Sequence, residues 1–219
     1  MISNYIKYKK SLEELVPAIN AEDLNKDYVD YWYLKSKEYH NYVWCNDIFS
    51  FFEIEKIKSI GKLLNLQRSF TGNNSTEDSL KHRRSFNSWI PINEQTFWIY
   101  QKLTDKINYI NENFFEFDLE KIEKLQFTYY KSEENGFYDK HVDPLQWNLP
   151  HNRKLSLVVQ LSDPKDYEGG DLILHYSKDP EIIRKEMGMT VLFPSSLLHE
   201  VAPVTKGDRY SLVAWVHGK

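Results

Sequence analysis

The chain has 219 residues, of which 41% are hydrophobic, 27% charged and 15% aromatic, and its 28 basic side chains face 32 acidic ones for a net charge of -4. That is a globular composition with room for one full hydrophobic core; the acidic balance argues against a nucleic-acid-coating protein, and no window approaches the roughly 18–20 apolar residues of a membrane span. Cys45 is the single cysteine, so no intrachain disulfide can form, and the opening MISNYIKYKK lacks the apolar core of a secretory leader; the expectation is a soluble, cytoplasmic protein.

The chain reads as one domain, 1–219, with no linker, repeat or low-complexity tract. Residues 1–120 are expected to be a mainly helical support region. In FEIEKIKSIGKLLNL, Ile57, Ile60 and Leu64 fall on one stripe. In TFWIYQKLTDKINYINENFF, Ile99, Leu103, Ile107, Ile110 and Phe114 recur at helical spacing, with Lys102, Asp105 and Lys106 on the polar face. TGNNSTEDS, residues 71–79, is polar and turn-rich and reads as a loop. The wider stretch 71–84 is either a lid over a site or a plain surface loop. RRSFNSWI, residues 83–90, reads as a strand closed off by Pro91.

Beyond residue 120 the period changes to two. LQFTYYK, KLSLVVQL, DLILHY, MTVLFP, HEVAPV and RYSLVAWV are short runs rich in β-branched and aromatic residues, separated by the turn signals ENG, DPKDYEGG, SKDP and TKGD. Strands without helices between them predict an antiparallel sandwich or jelly roll over 121–217, with the N-terminal helices packed on one face.

HVDPLQWN, residues 141–148, holds the first chemical signal. At a strand end, His141 and Asp143 project to the same side, and Pro144 stops the strand. Such a pair can bind a metal ion, or it can be a hydrogen-bonded His–Asp pair. His199, in LLHEV at the start of another strand, changes the balance, because two imidazoles and a carboxylate form the facial triad of non-haem Fe(II). Alternation on the last strand puts Arg209, Ser211, Val213 and Trp215 on one face and the apolar set Tyr210, Leu212, Ala214 and Val216 on the other. A guanidinium inside a barrel implies an anion, since a desolvated Arg needs a carboxylate partner; an Arg at a strand end can instead reach solvent. Gln126, Thr128 and Tyr130 share a wholly polar face, which suggests a wet or liganded cavity. The Tyr130 phenol can bond the same anion or reach water.

These segments together, YYKSEENGFYDKHVD, RKLSLVVQLSDPKDYEGGDL and LFPSSLLHEVAPVTKGDRYSLVAWV, resemble the Fe(II)- and 2-oxoglutarate-dependent dioxygenases, and most of all their prolyl 4-hydroxylase-like branch. The resemblance covers about residues 80–217. It implies a double-stranded β-helix, with His141, Asp143 and His199 as iron ligands. Arg209 matches the residue that pairs with the distal carboxylate of 2-oxoglutarate, Tyr130 the tyrosine that supports it, and Ser211 the serine of an R-x-S variant. KSEEN after Tyr130 is longer than the family's usual linker there. The implied cofactors are Fe(II), 2-oxoglutarate as cosubstrate and O2. The implied reaction is hydroxylation of a C–H bond in an amino acid, a peptidyl side chain or a small metabolite, with release of succinate and CO2. Asp143 argues against halogenation, because halogenating relatives lose that carboxylate.

Competing readings are a catalytically silent jelly-roll binding module and a cupin-like metal enzyme without 2-oxoglutarate. His40, His82, His175 and His217 are expected on the surface or in packing. Trp147, His151, Arg153 and Lys154 lie next to the triad in sequence, where they either touch substrate or merely pin a loop. The expected partner is a small-molecule or peptide substrate, with no nucleic acid and no membrane.

Overall fold

Ser50 opens the first helix. Its side chain accepts a hydrogen bond from the Glu53 backbone, and the Glu53 carboxylate accepts one from the Ser50 backbone, a complete capping box. The computed structural model describes residues 40–70, 76–143 and 152–219. Helix α1 (Phe51–Leu63) buries Ile54, Ile57 and Gly61, so its buried stripe is rotated by about a sixth of a turn from the Ile57–Ile60–Leu64 line of the sequence, with Ile60 and Leu64 packed at its margin. Gly61 explains the shift. A Cβ there would fall 2.2 Å from the Phe127 ring, so only glycine lets the helix lie this close to the sheet.

Helix α2 (Thr76–His82) occupies part of the stretch read as a loop. Glu77 and Asp78 in its first turn and Lys81 and His82 in its last complement the helix dipole, a favourable order that composition alone masked. The remainder of that stretch, 71–75, lies outside the described residues. Helix α3 (Phe97–Ile110) buries Ile99, Leu103, Ile107 and Ile110 as its spacing predicts. At Asn111 the helix widens into a π turn through Phe115, which leaves Phe114 only partly buried.

The strands are β1 (Val43–Cys45), β2 (Gln67–Arg68), β3 (Arg83–Arg84), β4 (Phe86–Ile90), β5 (Leu119–Ile122), β6 (Leu125–Lys131), β7 (Phe137–His141), β8 (Asn152–Gln160), β9 (Tyr167–Gly169), β10 (Leu172–His175), β11 (Glu181–Ile182), β12 (Thr190–Pro194), β13 (Leu198–Val201) and β14 (Val204–Gly218). The major sheet runs β1-β12-β8-β14-β6-β4-β2, with β5 and β9 also paired to β14, and the minor sheet runs β11-β10-β13-β7-β3. Every pairing is antiparallel. The two sheets form the expected double-stranded β-helix, and β1–β4 join them from positions before residue 120, so the β architecture starts ahead of the period-two segment.

RRSFNSWI is two strands rather than one. Arg83 and Arg84 pair with β7 in the minor sheet, whereas Phe86–Ile90 pair with β6 in the major sheet. Ser85 makes the crossing: its carbonyl accepts from Ser69 N–H at 3.0 Å, and its hydroxyl donates to Ser69 Oγ at 2.9 Å.

Two apolar clusters result. One lies between the major sheet and the helices and joins Ile54, Ile57, Ile99 and Leu103 to Phe127, Leu157, Leu212 and Ala214. The other, with Val158, Leu172, Phe193 and Val201, lies between the sheets. From Tyr39 onward the chain is one compact unit. No helix among the described residues is long and apolar enough to cross a membrane.

Candidate metal and cosubstrate centre

His141 ends β7 and His199 lies on β13, where antiparallel pairing places the two directly opposite each other. Their ring centroids are 4.1 Å apart. Asp143 follows the strand end and is anchored by its own N–H to the Ser195 carbonyl at 3.0 Å. One donor atom from each of His141, Asp143 and His199 lies within 4.8 Å of the others, and His199 Nε2 stands 3.8 Å from Asp143 Oδ2. The strand stops at His141, already short of Pro144, which lies outside the described residues along with Trp147 and His151.

The hydrogen bonds fix the tautomers. Nδ1–H of His141 donates to the Asp139 carbonyl at 2.7 Å, and Nδ1–H of His199 donates to the Leu197 carbonyl at 2.8 Å. A carbonyl only accepts, so each Nδ1 carries a proton, and in the neutral ring that tautomer leaves the lone pair on Nε2, as metal-ligating histidines require. Burial, reinforced by the neighbouring His199, pushes the His141 pKa down to about 4, which holds that imidazole neutral. Behind the carboxylate, the fully buried Ser156 hydroxyl donates to Asp143 Oδ2 and also meets Ser195 Oγ at 2.9 Å. Two imidazoles and one oriented carboxylate on one side of a site suit Fe(II).

The triad opens on a cavity of about 440 Å³, within the range of small-ligand sites. Arg209 lines it and is only 1% exposed. Its register partner across the β14–β6 pair is Tyr130, whose ring lies 5.2 Å from the guanidinium. Tyr130 and Ser211 are buried and line the same cavity. One Arg209 terminal nitrogen donates to Gln160 Oε1 at 3.0 Å, while Nε and Nη1 are buried without a hydrogen-bond partner among the described residues. A buried cation with idle donors is costly unless an anion completes it, so these residues fit the distal carboxylate of 2-oxoglutarate. Gly170 makes room for that side chain: at φ +64 it adopts a left-handed backbone, and a Cβ there would sit 2.8 Å from Arg209 Cδ.

Residues 125–217 match the family profile described as the 2OG-Fe(II) oxygenase superfamily. Over that segment the chain is similar to that superfamily. Similar curated proteins include a PKHD-type hydroxylase of Alteromonas mediterranea, 34% identical over 88 residues (38% of this chain and 39% of that protein). A PKHD-type hydroxylase of Teredinibacter turnerae is 36% identical over 101 residues, 44% of each chain. The chain thus aligns with less than half the length of these relatives. Among solved structures, a prolyl-4-hydroxylase of Pseudomonas putida superposes with a TM-score of 0.66 at 20% identity, covering 82% of this chain and 94% of that one. A prolyl hydroxylase of Trichoplax adhaerens, solved with a hypoxia inducible factor peptide fragment, gives 0.65 at 16% identity, covering 81% and 84%.

The sequence reading named His141, Asp143, His199 and Arg209, which the fold brings to one cavity, but not the residues that support them. Ser156 and Gln160 share a face of β8 with Val158, and two polar residues at that spacing in KLSLVVQL were the available signal. Arg153 lines the cavity, but Glu123 holds its guanidinium through two bonds at 2.6 and 2.8 Å, over the Trp215 ring. His217 is bound to the same Glu123 at 2.5 Å, His175 to Glu200 at 2.8 Å and His82 to Asp139 at 3.2 Å, while His40 packs edge-on against Phe114.

Proposed function

We propose that this chain is a non-haem Fe(II)- and 2-oxoglutarate-dependent dioxygenase that hydroxylates a C–H bond of an amino acid, a peptidyl side chain or a small metabolite. One observation carries the reading: the three-residue donor set and a buried guanidinium with idle nitrogens share one cavity. His141, Asp143 and His199 hold the metal through two Nε2 atoms and a carboxylate oxygen. Arg209 and Tyr130 hold the distal carboxylate of 2-oxoglutarate, with Ser211 beside them. An Fe(II) ion held by these residues would supply the coupling of O2 reduction and 2-oxoglutarate decarboxylation to substrate hydroxylation, with release of succinate and CO2. The chain's own part is positional. The Asp139 and Leu197 carbonyls keep both imidazoles in the ligating tautomer, and Ser156 orients the carboxylate. Phe193, Val158 and Leu172 give the cavity apolar walls that limit water.

A silent binding module has no need of this donor set, and a cupin-like enzyme without 2-oxoglutarate has no use for the unpaired Arg209. The substrate is a small molecule or a peptide. The acidic balance argues against nucleic acid, and the lone cysteine favours a cytoplasmic setting. Conversion of labelled 2-oxoglutarate to succinate in the presence of iron is the direct test. His199→Ala is expected to reduce that turnover to background while the circular dichroism of the fold persists; normal turnover by the variant would remove the triad from its role.

A further inference from the structure

Only two of the arginines among the described residues are buried, Arg209 and Arg83, and both line the cavity. Of the less buried ones, Arg153 pairs with Glu123, Arg68 with Glu134 and Arg184 with Glu186, while the exposed Arg84 donates to the Leu80 and Glu134 carbonyls. Arg83 is 7% exposed and makes no ion pair with any described residue. Its Nε donates to Ser85 Oγ at 2.8 Å, and its guanidinium stacks 4.5 Å above the Tyr138 ring. Tyr138 in turn stacks on His141, with ring centroids 3.5 Å apart. The cation is thus held in place by a hydroxyl and an aromatic face, one ring away from the metal-binding imidazole.

A desolvated guanidinium with no counter-charge among the described residues is unfavourable, and it is tolerated where a ligand supplies the charge. Arg209 already accounts for the cosubstrate. It stands on β14 of the major sheet, whereas Arg83 stands on β3 at the edge of the minor sheet. We propose that Arg83 anchors a carboxylate of the oxidised substrate, so that this site takes a carboxylate-bearing molecule. The proposal rests on the dioxygenase reading and names its substrate class. A single planar guanidinium whose Nε is already engaged matches the two oxygens of a carboxylate; of the other arginines lining the cavity, Arg153 is held by Glu123 and Arg209 is assigned to the cosubstrate. The carboxylate can belong to a free amino acid or to an Asp or Glu side chain in a peptide.

The test uses the full chain loaded with manganese and 2-oxoglutarate, so that binding is read without turnover. The probes are the twenty amino acids beside their carboxamides, and C-terminally amidated peptides carrying Asp or Glu beside their Asn or Gln counterparts. Calorimetry should show wild-type protein preferring the carboxylate member of at least one pair by tenfold or more. Preference among free amino acids or among peptides identifies the source. Arg83→Gln should bind both members alike, and Arg83→Lys should keep part of the preference, with 2-oxoglutarate affinity unchanged in both, which also shows that they fold. Equal binding of acid and amide, no binding of any carboxylate, or loss of 2-oxoglutarate in Arg83→Gln overturns the proposal. A wild-type protein that takes up no 2-oxoglutarate overturns the dioxygenase reading first and this one with it; uptake without a carboxylate preference overturns this one alone.

Discussion

The two faces of the major sheet are built by the same strands and are chemical opposites. On β14 the outward residues Leu212, Ala214 and Val216 join Phe127 of β6 and Leu155, Leu157 and Val159 of β8 in the cluster beneath α1 and α3. The inward residues of the same three strands include Arg209, Ser211, Gln126, Tyr130, Ser156 and Gln160, all buried. The outward face is closed and apolar. The inward face leaves Gln160 Nε2, Arg209 Nε and Nη1, and Trp215 Nε1 buried without partners. A strand's alternation therefore separates two tasks, cohesion on one side and ligand demand on the other, and the ligand face is the less stable of the two until it is filled.

That contrast can be broken from either side. The largest effect is expected at Phe127, which is fully buried against Gly61. Phe127→Ala should lower unfolding free energy by about 3–5 kcal/mol in urea titrations while the folded fraction keeps its 2-oxoglutarate affinity. If affinity falls as steeply as stability, the faces are not separable. Arg209→Met should act the other way. Losing one partner of a buried charge pair is worth about 2–5 kcal/mol, so 2-oxoglutarate affinity should drop by roughly 30-fold or more. The ligand-free variant should nonetheless be more stable than wild type, by about 1–4 kcal/mol, because an unpaired buried cation has gone. A less stable variant would show that Gln160 alone already satisfies Arg209.

Smaller still is the effect of Ser156→Ala. The hydroxyl orients Asp143 without touching the metal, so chelator competition should show metal affinity reduced by about 10–100-fold with the fold unchanged. The weakest signature is in pH. His141 stays neutral in the folded protein below its ordinary value of 6.5 and down to about 4, chiefly because it is buried. The unfolded chain binds the extra proton throughout that window, so stability of the metal-free protein should fall as pH drops through it. Thermal melts of His141→Gln should show a flatter acid slope; an identical slope would place the titration elsewhere.

Much of this was legible in the residues. Alternation in RYSLVAWV assigned both faces of β14, and LQFTYYK announced its polar side at Gln126, Thr128 and Tyr130. The cluster of His141, Asp143 and His199 was readable because its pattern recurs in a known family. Other features left no such trace. β9 and β11 are three and two residues long, too short for a period to appear. α2 hid in a polar run because its helical signal is an order of charges, not a stripe of apolar residues. Gly61 displaced the α1 stripe because the ring it admits comes from a strand more than sixty residues away in the chain.

What the amino-acid order determined by itself is local: the change from helical to two-residue period near residue 120, the face on which each strand residue lies, and the chemical character of His141, Asp143, His199 and Arg209. Which of those faces meet was decided only by tertiary structure. Ser85 sends RRSFNSWI from one sheet to the other, and with that crossing Arg83 enters the cavity beside Tyr138 and His141. Side-chain direction along a strand follows from backbone geometry, which every residue carries with it. The closing of two sheets over a shared cavity depends on contacts between distant segments, and those exist only once the chain has folded.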